Sequence, residues 1–257
     1  MIRIVFPEQE NGIIKAATKE AREKFEDFEP IFVNSLEEAC EKVKNKEADA
    51  LVGGIDYTSR DVILSARDII GKKDETFSAS FVLEKDDSVY VLGDAAACKN
   101  PTEDQLFDIT LQTYKTAKAV LKTEPKVAML SFSTLGSGGS DPSIMRIRNV
   151  VNRIHEKYPE IAIDGELQLD AAIDKTIGDK KAPGSTVAGQ ANVLIAPDLN
   201  TGNILYKAME RFGGFVAAGP ILQGFNAPLS DLSRGSSKED VLKVIEIELK
   251  LARLNAA

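Results

Sequence analysis

The sequence predicts an α/β fold of two domains with mainly parallel sheets, and three observations predict it. From Met1 to Lys72, short β-rich runs alternate with runs of helical hydrophobic spacing. That βαβα order is the pattern of a parallel sheet with helices on both faces. A hairpin pattern then interrupts it between Phe77 and Leu92. Finally, 257 residues amount to about 1.7 domains at ~150 residues each, one large unit or two modest ones.

Ile2 to Phe6 reads as the first strand, followed by Ile13, Ile14, Ala17, Ala21 and Phe25 at helical spacing. Ile31-Phe32-Val33 is the next strand. Ser35 and Glu38 then have the spacing of a capping box, ahead of a helix with Leu36, Ala39, Cys40 and Val43 on one face. Ala50 to Gly54 is a buried strand ending in glycines, and Val62 to Ile70 carries another helical stripe. Phe77 to Leu83 and Ser88 to Leu92 flank the charged turn Glu84-Lys85-Asp86-Asp87, a hairpin signal. A long helix starts near Pro101-Thr102, with Thr102 and Gln105 in capping-box spacing. Then come a strand at Val127–Phe132, a helix from Asp141-Pro142 to about His155, and strands at Ile161–Ile163 and Asn192–Ala196. A helix around Asn203–Arg211, a strand at Gly214–Ala218 and a last helix from Ser237 to about Leu254 close the chain. The hairpin marks a second α/β domain, residues 74–225, inserted into a first made of residues 1–73 and 226–257.

Composition narrows the function classes. Hydrophobic residues are 43% and charged residues 28%, the balance of a folded chain rather than a disordered one. Forty acids against thirty-two bases leave a net charge of −8, which argues against a nucleic-acid binder. No apolar run reaches the ~18 residues of a membrane span, and Met1 to Pro7 lacks a signal peptide's apolar core. Two cysteines and one histidine, His155, cannot build a disulfide framework or a multi-histidine metal site. The expectation is a cytoplasmic chain without a membrane partner or a catalytic metal. His155 reads as a cation near a helix C-terminus, Cys40 as core and Cys98 as structural.

In open α/β sheets ligands sit beyond the carboxyl ends of the strands, and several stretches put polar residues there. Ser133-Thr134-Leu135-Gly136-Ser137-Gly138-Gly139-Ser140 follows a strand, and such a turn exposes amides that can cradle an anion; it also reads equally as a flexible loop. Its spacing matches neither a P-loop nor a dinucleotide fingerprint. Asp164, Glu166 and Asp170 cluster past a strand, where ordering a turn and capping a short helix is the plainer reading. Asn203 reads as a helix cap, with Tyr206 and Lys207 in the first turns that follow. In Ser230-Asp231-Leu232-Ser233-Arg234-Gly235-Ser236-Ser237-Lys238-Glu239-Asp240, a fixed positive charge beside a hydroxyl suits phosphate or an oxyanion. Asp240, three residues after Ser237, reads by spacing alone as a cap.

Together these segments resemble the phosphate acetyltransferase/phosphate butyryltransferase family, most closely its acetyl branch. The resemblance runs from Asn100-Pro101-Thr102 through Ser131-Phe132-Ser133-Thr134, Ile163-Asp164-Gly165-Glu166-Leu167-Gln168 and Lys181-Ala182-Pro183-Gly184-Ser185. It continues through Ala188-Gly189-Gln190-Ala191-Asn192, Pro197-Asp198-Leu199-Asn200 to Tyr206-Lys207, Gly219-Pro220-Ile221 and Asp231-Leu232-Ser233-Arg234-Gly235. It implies two α/β domains of isocitrate/isopropylmalate-dehydrogenase-like architecture, a cleft between them that holds the active site, and a homodimer. The implied reaction is the reversible conversion of acetyl phosphate and coenzyme A to acetyl-CoA and inorganic phosphate. No tightly bound cofactor is implied; coenzyme A is a substrate. The family's catalytic serine, arginine and aspartate fall on Ser233, Arg234 and Asp240. Substrate contacts fall on Ser133, Thr134, Gly136, Asn203, Tyr206, Lys207, Gly219 and Pro220. Free thiol and carboxylic acid pKa values near ~8.5 and ~3.9 leave a proton-transfer gap of about 6 kcal/mol. Burial of Asp240, or stabilisation of the thiolate by Arg234, would narrow it.

The chain departs from the family pattern in its first domain, which is several tens of residues shorter. A family segment of the Leu-Arg-Lys-His-Lys-Gly type has no counterpart, and Ile63 stands where a second family arginine is expected. Arg60, about one helical turn earlier, is the candidate replacement. Leu135 holds the place of a lysine and Ser236 that of a common cysteine. Two alternatives therefore stand beside acetyl transfer: a butyryl-type acyltransferase, and a non-catalytic sensor of acyl-CoA or acyl phosphate.

Overall fold

Strand β1 (Ile2–Phe6) ends in Ile4, Val5 and Phe6, which have no exposed surface, and it is the centre on which the first unit is built. The computed structural model describes residues 1–256. It divides into two units, Met1–Phe77 with Ala218–Ala257, and Ser78–Ala217.

In the first unit β1 pairs in parallel with β2 (Phe28–Phe32) and β3 (Ala50–Gly53). Strand β10 (Leu229–Asp231) lies parallel to β3, and β9 (Val216–Gln223) runs antiparallel to β10. Helix α1 (Gly12–Lys24) is capped by Asn11, whose side chain accepts from Ile13 and Ile14. Helix α2 (Leu36–Lys44) is capped by Ser35, which accepts from the Glu38 amide at 3.1 Å. Helix α3 (Ser59–Ser65) continues into a π-helical turn, Ala66–Ile70. Ile14, Ala17 and Ala21 of α1 meet Val244, Ile245 and Leu249 of α9 (Lys238–Ala256) in a core that includes Ile4, Phe6 and Val52. Burying each of the Ile, Leu, Val and Phe side chains here contributes about 1.5–3 kcal/mol, and the alanines let α1 and α9 approach closely.

In the second unit β4 (Ser78–Lys85) and β5 (Ser88–Gly93) form the expected antiparallel hairpin, with Asp86 at φ 51° in its turn. Asp tolerates that left-handed backbone better than most residues. Strand β5 then pairs in parallel with β8 (Val193–Ile195), β8 with β6 (Lys126–Leu130), and β6 with β7 (Ala162–Leu167). Helices α4 (Glu103–Val120), α5 (Pro142–Lys157), α6 (Leu169–Ile173), α7 (Lys175–Lys181) and α8 (Leu199–Arg211) complete it. The Thr102–Gln105 capping box forms in full, and Asp141 caps α5 through the Ser143 amide at 2.8 Å.

Several elements differ from the sequence reading. β2 starts three residues early because Phe28 anchors it, and as the edge strand it tolerates Pro30. β7 runs on through Glu166, so Asp164 and Glu166 lie within a strand rather than past it. Asp170 sits inside the first turn of α6 instead of capping it; that position is Gln168. Helix α8 starts earlier than expected and its cap is Asp198, which accepts from Thr201 at 2.9 Å. Asn203 is therefore an interior helical residue. No helix among the described residues is long and apolar enough to cross a membrane.

Candidate active site

The parallel strands β1, β3 and β10 end side by side, and their following loops gather the reactive groups of the first unit. Past β1, Glu8 is buried, and its Oε1 accepts the amides of Gly54 at 2.8 Å and Asp56 at 3.1 Å. Its Oε2 has no partner among the described residues, and burial pushes its pKa up. Past β3, Gly54 takes φ 120°, and a Cβ there would lie 2.4 Å from Asp231 Oδ1 and 2.7 Å from the Leu232 amide nitrogen. Only glycine permits this approach. The Leu232 amide donates to the Gly53 carbonyl at 2.6 Å, so the chain leaving β10 rests directly on this turn.

Asp231, the last residue of β10, is 3% exposed. Burial pushes its pKa up to about 6, with a hydrogen bond from Ser59 acting in the opposite direction. Its Oδ1 has no partner among the described residues. Two residues on, Ser233, Arg234 and Gly235 are exposed. Ser233 Oγ accepts from the Gly235 amide at 3.3 Å, and its carbonyl accepts from the Ser236 amide at 2.9 Å. Arg234 forms no ion pair among the described residues, so its charge is available to a ligand. Asp240 lies in the first turn of α9 and is half-buried, its carboxylate bonded to Ser237 at 2.8 Å through the amide and 2.9 Å through the hydroxyl. On α3, Arg60 is exposed and Ile63 half-buried. A cavity of about 340 Å³ beside this turn is lined by Glu8, Glu10, Asn11, Asn34, Asp56 and Tyr57, among others. Its acidic lining does not suit a phosphate.

The second unit presents its own strand-end loop, after β6. The sequence reads this turn equally as an anion cradle or a flexible loop; the structure shows a turn whose amides are already bonded internally. Ser133 donates its hydroxyl to Glu166 at 2.8 Å, and the Gly136 amide donates to the same carboxylate at 2.8 Å. The Ser133 amide bonds to Ser131 Oγ, Thr134 to Ser137 Oγ and Gly138 to Ser133 Oγ. Leu135 donates to the Glu166 carbonyl, Ser137 to Thr134 and Gly139 to Gly136. Every amide from Ser133 to Gly139 thus has an internal acceptor. The turn is a cradle whose anion is Glu166 itself. Arg148 of α5 seals it, with Nε at 2.8 Å and Nη2 at 3.0 Å from the carboxylate. Although burial opposes it, the Arg148, Gly136 and Ser133 hydrogen bonds hold Glu166 down at about 2. The Ser133 and Thr134 side chains are buried, Thr134 bonding to Gln168, so both frame the loop rather than reach outward.

Elsewhere in the second unit, Asn203 reaches the Ala95 carbonyl at 3.4 Å. Tyr206 stacks on Phe81 with centroids 4.1 Å apart, and Lys207 lies 4.9 Å over the Tyr206 ring. Gly219 and Pro220 belong to β9, in the first unit. The sequence reading missed Asp94, whose buried carboxylate accepts the amides of Ala79, Ala96, Ala97 and Cys98 and orders the loop after β5. It missed Arg148 too; a lone arginine in an amphipathic helix gives no signal of its partner. Cys40 is buried and pushed up to about 12, an inert thiol. No group of three or more metal-ligating side chains occurs among the described residues.

These features define an α/β protein with exposed polar and charged side chains on loops beyond parallel strands. The chain belongs to the phosphate acetyl/butaryl transferase family, whose profile matches residues 6–249. It is 43% identical over 219 residues to the phosphate acetyltransferase of Clostridium acetobutylicum, covering 82% of this chain and 66% of that protein. The chain thus spans just under two thirds of that relative's length. A phosphotransacetylase structure from Streptococcus pyogenes matches with a TM-score of 0.89 at 32% identity, over 100% of this chain and 94% of that one. 4-Hydroxythreonine-4-phosphate dehydrogenase from Klebsiella pneumoniae shares the fold, with a TM-score of 0.55 at 12% identity over 84% of this chain and 69% of that one.

Proposed function

We propose that this chain is a phosphate acetyltransferase that moves an acetyl group reversibly between acetyl phosphate and coenzyme A. The observation that carries the reading is the exposed, unpaired Arg234 beside Ser233, between β10 and α9, in a chain of this family. In the forward direction the coenzyme A thiol loses its proton, and the thiolate attacks the acetyl carbonyl carbon. The new C–S bond replaces the C–O bond to phosphate, which leaves with the electron pair. Asp240 accepts the thiol proton through the carboxylate oxygen that Ser237 does not occupy. Ser233 still has its hydroxyl hydrogen to donate toward charge developing on the carbonyl oxygen. Arg234 neutralises phosphate in the ground state and steadies the thiolate later. No metal or tightly held cofactor takes part in this scheme.

The test is thioester formation, followed by ultraviolet absorbance, with acetyl, propionyl and butyryl phosphate as donors. Acetyl phosphate as the best donor supports the reading; butyryl phosphate as the best donor moves the chain to the butyryl-type alternative. Ile63, in place of a family arginine, favours a second reading as a sensor of acyl-CoA or acyl phosphate. Acyl-CoA binding without thioester formation from any donor would establish it. We also assign the chain to the cytoplasm and to a homodimer, the latter supported by apolar side chains that the second unit leaves open.

A further inference from the structure

Glu166 has no exposed surface, yet it carries a charge held by Ser133, Gly136 and both Nε and Nη2 of Arg148. A buried carboxylate so completely partnered costs much to disturb and fixes whatever donates to it. Here the donors are the loop after β6, where Leu135 is held at φ 40° and Gly136 at φ 105°. Two of the side chains that this loop turns outward are apolar, Phe132 at 66% exposed and Leu135 at 46%, beside the exposed Ser137 and Ser140. We propose that Glu166 and Arg148 are the positioning pair of this loop in acyl transfer, with Glu166 filling from inside the anion cradle that the turn would otherwise offer a phosphate. The loop then meets its ligand through Phe132 and Leu135, which suit the carbon chain of the acyl group or the thiol arm of coenzyme A. This rests on the acyltransferase reading above, and it assigns phosphate to Arg234 rather than to the glycine-rich turn.

The test is Arg148→Met, at a side chain 30% exposed on α5. It leaves the buried Glu166 charge without its cation, so a thermal melt first confirms that the variant folds, and Glu166→Gln decides if it does not. KM for acetyl phosphate or coenzyme A should rise about 5–20-fold while kcat stays within about 3-fold, because the loop acts on ground-state binding. Inhibition by inorganic phosphate should change less than about 2-fold, and hydrogen exchange of residues 133–139 should quicken about tenfold or more. Arg148→Lys, which keeps a single N–H···O contact, should recover part of both effects. Glu166→Gln should match Arg148→Met, since its amide oxygen still accepts from Gly136 while its nitrogen faces the Arg148 Nε–H. If that variant does not fold, the Arg148 pair decides alone. Unchanged KM and exchange in Arg148→Met overturn the proposal. Faster exchange with unchanged KM also overturns it, leaving the pair structural only. A weakened phosphate inhibition as the main effect overturns it by returning phosphate to the turn. If the wild-type chain forms no thioester, the acyltransferase reading fails, and the exchange arm still decides whether the pair holds the loop.

Discussion

Ser237 and Asp240 are joined in both directions: the carboxylate takes the Ser237 amide and hydroxyl, and Ser237 Oγ accepts the Asp240 amide at 3.1 Å. This reciprocal cap uses Oδ2 and leaves Oδ1 for chemistry, so cap and base are compatible roles with separable consequences. Asp240→Asn keeps an oxygen for Ser237 and loses only the charge–dipole contribution, about 0.3–1 kcal/mol of stability. As the base it should lose roughly 10²–10⁴-fold in turnover. Steady-state kinetics beside a thermal melt separates the two, and near-normal turnover in the folded variant leaves Asp240 a cap alone. Ser233→Ala should cost less, and Arg234→Gln should impair both binding and turnover.

Neighbouring residues of β10 set a pH dependence of stability. Ser230 donates to Glu248 of α9, whose second oxygen has no partner among the described residues. Burial pushes Glu248 up to about 8 from an ordinary 4.5, and Asp231 up to about 6 from 3.8. Both folded pKa values exceed the unfolded ones, so between them the folded state holds protons that the unfolded state has released. Stability is therefore greatest below about pH 4 for these two groups and declines as pH rises, to about 6 for Asp231 and about 8 for Glu248. Glu166 acts oppositely: held at about 2, it stabilises above the unfolded value of 4.5 and loses that as pH falls toward 2. Glu248→Gln keeps an acceptor for Ser230 without a charge, and should flatten the decline between pH 6 and 8 in urea melts. An unchanged slope would mean that Glu248 ionises freely in the folded state.

Gly54 carries the loop that presents Ser233 and Arg234. Gly54→Ala places a methyl against Asp231 Oδ1 and the Leu232 backbone at a φ that alanine resists. The expected cost is about 1–3 kcal/mol of stability, with turnover falling further than the melt explains. A Gly54→Ala variant with full activity would show that the loop is seated elsewhere.

The proposed homodimer makes its own forecast. Helix α8 buries only Gly202 fully, while Ile204 is 67% exposed, and beyond its end Phe212 is 93% and Val216 54% exposed. Apolar surface of this kind is expected at a subunit contact. Light scattering should give twice the 27.9 kDa subunit mass, and Phe212→Asp should shift it toward one subunit. A single subunit mass across a broad concentration range for the wild type sinks the dimer.

Much of the fold was legible because local signals agreed with burial. The Thr102–Gln105 box, the Ser35 cap and the hairpin around Asp86 all form where spacing placed them. β10 was not legible: Leu229-Ser230-Asp231 is too short for periodicity, and only its fit between β3 and β9 makes it a strand. The Ser233–Arg234 loop could be read from residue types, but Glu166 could not. Its partners Ser133, Gly136 and Arg148 lie 33, 30 and 18 residues away, and only the β6–β7 pairing brings the first two to it. The same distance effect hid the burial of Asp231, whose carboxylate is closely approached by Gly54 from far back in the chain.

Arg60 is where the structure adds most to a sequence suggestion. The family resemblance expects an arginine where Ile63 stands, and Arg60 one turn earlier is its positional substitute. Thr58 caps α3 in a full box with Asp61, whose carboxylate is thereby spent on Thr58 rather than on Arg60. Ser59, the residue next to Arg60, bonds Asp231, which stands two residues before Ser233. Arg60 therefore begins at the same strand ends as the Ser233–Arg234 loop, exposed and without an ion pair among the described residues. Arg60→Ala should raise KM for acetyl phosphate or coenzyme A about 3–10-fold, with stability changed by less than about 0.5 kcal/mol. Arg60→Lys should fall between, and the difference from wild type should shrink as salt rises and screens the charge. Unchanged kinetics in Arg60→Ala at low salt would make Arg60 a solvated surface charge, leaving Arg234 as the cation on which the proposed reaction depends.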